Sequence, residues 1–109
     1  MGQPDHITLA RQYAAGDRNR RLEMLDLSNT DLTGLDFSNA WLRDTDFSGA
    51  RLQGCRFVGA PMPGVNFSQA DLSQANLRES DLTGANLEGA NLDGTDTEFA
   101  VMPDGTIDN

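Results

Sequence analysis

The sequence predicts an all-β solenoid built on a five-residue repeat, and three observations lead there. Every fifth residue from Leu22 to Leu92 is Leu, Phe or Met, fifteen in succession without a slip of register. The residue two before each of these centres is usually small, as at Thr30, Ala40, Ala50, Cys55, Ala60, Ala70 and Ala75. The residue just before the centre is usually Asp or Asn, and Gly often stands two after it. A period of five matches neither the 3.6 residues of an amphipathic helix nor the alternation of a strand. It suits a chain that turns every five residues, with Asp, Asn and Gly in the turns. One large and one small side chain per unit then point inward, and successive coils bond at about 4.8 Å spacing.

Ahead of the repeat, residues 5–15 read as a short helix, with Asp5 as N-cap and Gly16 as terminator. Ile7, Ala10, Tyr13 and Ala14 form its apolar face. An open solenoid exposes unpaired backbone at its ends, so residues 1–19 are expected to cap the first coil. Leu25 and Leu35, large residues at the usually small position, give that cap something to pack on. His6, at the helix start, is expected to be a solvated surface residue.

Residues 20–96 carry the repeat. ADLSQ at residues 70–74, ANLRE at 75–79, ANLEG at 85–89 and ANLDG at 90–94 resemble the A-(D/N)-L-X-X consensus of the pentapeptide-repeat family. The resemblance implies a right-handed quadrilateral β-helix of about four coils, twenty residues per coil. Offsets of twenty then stack Leu22, Leu42, Met62 and Leu82 on one inner face. Leu27, Phe47, Phe67 and Leu87 line the second, and Leu32, Leu52, Leu72 and Leu92 the third. Phe37, Phe57 and Leu77 line the fourth. Cys55 falls at a small inward position beside Leu35 and Ala75, and is expected to be inert core.

Residues 97–109 are expected to form a C-terminal cap or tail. Met102-Pro103-Asp104-Gly105 has the composition of a type I turn. Phe99 and Val101 fall at outward positions if the coil continues.

The chemistry available is narrow. The 109 residues contain one His, one Cys, one Tyr and no Lys, and all eight cations are Arg. No nucleophile–base set, Lys-dependent phosphate loop or zinc ligand set can be assembled from these. The sequence therefore predicts a protein that is not an enzyme, with no cofactor and no metal. The net charge of −9 opposes direct binding of nucleic acid. Residues 1–17 lack the apolar run of a secretory signal or a membrane span, so the expected compartment is the cytoplasm.

Departures from the repeat are the functional clues. Trp41 stands where Asp or Asn is usual, and Pro61 takes the same place twenty residues on. Pro63 follows the centre Met62, and Met24 lies on the same side in the first coil. These four form the candidate interaction surface. Charge is also uneven: residues 1–21 carry a net +2 and residues 79–109 a net −8. This dipole suits a basic partner, or head-to-tail approach of two copies. The function expected is a structural or protein-interaction module with an unidentified protein partner, a homodimer being one candidate association. The alternative implied by the resemblance is a DNA-mimic inhibitor or protector of a type II topoisomerase, DNA gyrase.

Overall fold

The computed structural model describes residues 5–18 and 22–109. The expected boundary at residues 19–20, and the charges of Arg20 and Arg21, lie outside the described residues.

Four parallel ladders of single-residue β-bridges hold the repeat together, each joining residues twenty apart. The first runs Asp26–Asp46–Asn66–Asn86, the second Asp31–Arg51–Asp71–Asn91, and the third Asp36–Arg56–Asn76–Asp96. The fourth runs Pro61–Asp81–Val101. Each bridge rests on two backbone bonds. In the first, Leu27 N–H donates to the Asp46 carbonyl, and Asp46 N–H to the Leu25 carbonyl, both at 2.8 Å.

The Asp/Asn preference has a local cause. The side-chain oxygen of this residue accepts the N–H of the residue two further on, which the turn would otherwise leave without a partner. Asp26 does so for Ser28 at 3.1 Å, Asn66 for Ser68 at 2.9 Å and Asp81 for Thr83 at 3.0 Å. The residue two after each centre takes a left-handed backbone, as at Asn29 (φ 55°) and Gly64 (φ 75°). At Gly64 a second reason applies: the Asp44 carboxylate lies over it, and a Cβ would collide with that oxygen.

The interior follows the twenty-residue stacks. Phe37 stacks on Phe57 with ring centroids 5.5 Å apart, and Phe47 on Phe67 at 5.2 Å. Rings ten residues apart meet edge-on at 5.8 Å, Phe47 against Phe57 and Phe57 against Phe67. The centres from Leu22 to Leu82 are fully buried. The last two are not: Leu87 is half-buried and Leu92 is 39% exposed. They keep the inward register, and among the described residues no further coil stacks on them. At the small inward position Val65 is fully buried, an addition to the two large residues expected there.

Helix α1 spans His6–Ala14, with Asp5 accepting Thr8 N–H at 2.7 Å and Gly16 (φ 119°) just past its end. Its buried side is rotated from the expected one. Ala10 and Tyr13 join the core, with Leu9 and Ala14 against it, while Ile7 is 39% exposed. Leu9 takes Ile7's place because Leu9, Ala10 and Tyr13 share a stripe one step round the helix. Leu25 is buried and Leu35 packs against the core.

Side chains from this segment meet the backbone edge of the first coil. Tyr13 Oη donates to the Ser38 carbonyl at 3.0 Å, Arg11 to that of Asp31 at 3.1 Å, and Arg18 to that of Asp36 at 3.3 Å. His6 is at the surface, as expected, and also makes a bond that the sequence does not announce. Although exposed, its Nδ1 accepts the Asp26 N–H at 2.7 Å, occupying the position that a carbonyl of a preceding coil would take.

At the other end residues 99–108 fold as a hairpin. Gly105 N–H donates to the Met102 carbonyl at 2.8 Å, closing the expected turn, and Val101 pairs antiparallel with Ile107. Thr97 Oγ1 donates to Asp108.

Candidate interaction surfaces

Trp41 stands on the face of the fourth ladder and is 62% exposed. Pro61 lies one coil beyond it in the same column. Because proline has no N–H, the bond that joins coils elsewhere is missing here. Leu42 N–H still donates to the Pro61 carbonyl at 3.0 Å, but the Ala40 carbonyl has no rung donor among the described residues. The rung reappears one level on, where Asp81 N–H reaches the Ala60 carbonyl at 3.0 Å.

Pro63 has a backbone explanation that sequence reasoning missed. A residue at position 61 other than Asp or Asn supplies no acceptor for the N–H two residues on. Proline at 63 has none to satisfy. The same pairing recurs at Val101 and Pro103. The signal was in the sequence, as proline two residues after a missing Asp or Asn.

Met24 lies on this face, 68% exposed and in a left-handed backbone (φ 58°), a conformation that costs a non-glycine residue about 1–3 kcal/mol. Between Met24 and the Trp41 column sits Arg43, 3.6 Å from Glu23 and 3.9 Å from Asp44. The four predicted residues therefore share a face. Trp41 and Met24 are its exposed apolar groups, while Pro61 and Pro63 are half-buried.

Cys55 is fully buried, and its thiol donates to the Leu32 carbonyl at 2.9 Å. Burial pushes the thiol up to about 11, far from the range of a reactive thiolate. Thr45 and Thr95 occupy equivalent positions and donate in the same way to the carbonyls of Leu22 and Leu72, each at 2.7 Å. Asp26 and Asp46 turn their carboxylates back into their own turns. Among the described residues no group of three or more His, Cys, Asp or Glu is placed to hold a metal ion. Among them, too, no helix is long and apolar enough to cross a membrane.

Residues 25–59 and 62–96 match the sequence profile of pentapeptide repeats in eight copies, well over half of the chain. The chain belongs to the pentapeptide-repeat family. The gap in the match falls at Ala60–Pro61, where the ladder also lacks its donor. A pentapeptide repeat protein from Nostoc PCC 7120 is similar in structure, with 38% identity and a TM-score of 0.60. That similarity covers 91% of this chain and 82% of the Nostoc protein. Another, from the cyanobacterium Cyanothece 51142, has 33% identity and a TM-score of 0.51 over 82% of this chain and 60% of that one. HetL, a pentapeptide repeat protein involved in heterocyst differentiation regulation in Nostoc sp. strain PCC 7120, has 33% identity and a TM-score of 0.46. This chain spans 49% of its length, and 81% of this chain is covered. No curated protein matches the sequence. Pentapeptide-repeat proteins are right-handed quadrilateral β-helices, the fold expected from the resemblance.

Proposed function

We propose that this pentapeptide-repeat protein is a non-enzymatic interaction module that presents the Trp41 face to a protein partner. In this reading residues 1–19 form a helical cap, residues 20–96 a β-helix of about four coils, and residues 97–109 a C-terminal closing segment. The observation that carries the reading is the exposure of Trp41 and Met24 together on one face of a rigid ladder. From Asp26 to Asp96 the positions equivalent to Trp41 hold Asp, Asn or Arg except at Pro61, and from Asn29 to Gly94 those equivalent to Met24 hold Asn, Asp, Gln, Glu or Gly. An exposed Trp on a rigid support is the residue type that dominates binding energy at interfaces.

Trp41 is the lone tryptophan, so its fluorescence reports this face directly. The reading predicts solvent-exposed emission from the isolated protein. It also predicts a set of proteins from native cells retained by the wild type and lost by a folded Trp41→Ala variant. Retention of the same set by both would overturn it.

The acidity of the chain is the observation on the side of a DNA-mimic reading. Against it, Asp26, Asp31, Asp71 and Asp81 bond back into their own turns, and Arg51 and Arg56 interrupt the second and third columns. Such columns do not form a phosphate-like row. Inhibition of gyrase supercoiling at micromolar protein would reverse this preference.

A further inference from the structure

We propose that the C-terminal end of the rod is a docking edge for an extended, basic peptide segment, which adds to the open first and second ladders as a further stretch of coil. Those ladders stop at Asn86 and Asn91. Among the described residues, the N–H groups of Leu87 and Leu92 and the carbonyls of Ala85 and Ala90 have no partner across the edge. They are disposed as the groups that hold the next coil at every lower level. In the second ladder, for example, Leu32 N–H meets the Arg51 carbonyl and Arg51 N–H the Thr30 carbonyl, both at 2.9 Å. An incoming strand therefore finds a preformed register, the geometry of recognition by strand addition. Leu87 and Leu92 supply the apolar floor that such a strand covers.

Charge selects the occupant. The position after the centre is Ser28, Ser48 and Ser68 along one column, and then Glu88. In the next it is Thr33, Gln53 and Ser73, and then Asp93. Anions thus appear in these columns at the last level alone. The nearby Arg78 is engaged elsewhere, with Asp96 and Glu98. A second copy docking end to end would bring like charges together, which disfavours it. The opposite end of another copy already carries α1. Stacking in register places an apolar residue over Leu87 and a cation over Glu88, and repeats the pair five residues later over Leu92 and Asp93. The segment that fits therefore reads apolar–basic–x–x–x–apolar–basic.

The test is an NMR titration of the isotope-labelled full chain with a synthetic peptide of roughly ten residues, long enough for two sides of a coil and carrying two Leu-Arg pairs five apart. A scrambled peptide of the same composition is the control. The expected result is saturable shifts and slowed exchange at the amides of Leu87, Gly89, Leu92 and Gly94, with Leu27 and Leu32 unmoved. The exposed double variant E88R/D93R, its fold checked by circular dichroism, should bind at least about tenfold more weakly. Trp41→Ala should bind as the wild type, which separates this edge from the face proposed above. The proposal is overturned by shifts that are absent or lie elsewhere, by equal binding of the scrambled peptide, or by an unchanged E88R/D93R. It is also overturned if raising the protein concentration alone protects the same amides, since a second copy is then the occupant.

Discussion

At the N-terminal end of the rod, His6, Arg11, Tyr13 and Arg18 each bond to the backbone edge of the first coil, and Ala10 and Tyr13 are buried against it. At the C-terminal end a hairpin continues one of four ladders, and the other three stop at Asn86, Asn91 and Asp96. The repeat unit is nearly the same at both ends, so the difference lies in the two segments that flank the repeat. A helix brings several long side chains that reach across an edge and satisfy it piecemeal. A hairpin satisfies only the backbone it pairs with. The end whose ladders stop without a further rung among the described residues is also the end where the acidic side chains concentrate.

The largest expected contrast is between two residues of one column, Leu32 and Leu92. Leu32 is fully buried, and its truncation to Ala should cost about 2–5 kcal/mol. Leu92→Ala, at the open end, should cost about 1 kcal/mol or less, since its side chain is already partly in water. Urea denaturation midpoints at unchanged slope measure both. Equal losses would mean that the C-terminal end is covered. Cys55 reports the same contrast independently, because its thiol bonds to Leu32. At mildly alkaline pH its labelling should wait on opening of the core, accelerate in Leu32→Ala, and stay near the wild-type rate in Leu92→Ala.

A smaller effect tests the closed end. Tyr13→Phe keeps the ring in the core and removes the bond to the Ser38 carbonyl, for an expected loss of about 1 kcal/mol. Loss of helical circular dichroism ahead of the main transition would locate the damage in α1. No change in stability would show that this bond does not help to hold the end closed.

Acid should loosen both ends, and so sharpens the comparison by showing what they share. Asp5 holds the start of α1 and Asp104 the hairpin turn. Hydrogen bonds from Thr8 and Thr106 hold their carboxyls below the usual aspartate range, and Asp26, Asp31 and Asp71 are lowered by Ser28, Thr33 and Ser73. A depressed folded-state pKa means stability that is present above the unfolded value, about 4, and lost as pH falls through the folded value. The rod should hold its stability down to about pH 4 and lose it below. A stability that rises on acidification below that point would contradict these bonds.

The body of the rod was legible in the sequence because one residue in five repeats the same physical role. Phe47 stacks on Phe67, and Cys55 is core, from register alone. The ends were legible only in part. Asp5 and Gly16 marked α1, but Ile7 lies outside and Leu9 inside, because a single short helix does not encode how it is rotated on its support. His6 carries no sequence signal for its bond to Asp26, which depends on where the helix comes to rest. Leu87 and Leu92 keep the repeat pattern without its burial, since periodicity shows which way a residue points and not whether another layer covers it. Of the candidate surface, Trp41 stood out by type. Pro63 also stood out, but its explanation lies in the missing acceptor two residues earlier.

The most direct test of this account is amide hydrogen exchange of the isolated protein, read residue by residue at the two ends. It predicts protection for Asp26, whose N–H is held by His6, and for Leu27 and Leu32 in the first coil. It predicts exchange near the free rate for Leu87, Gly89, Leu92 and Gly94. Protection of those four amides equal to that of Leu27 and Leu32, independent of protein concentration, would contradict it.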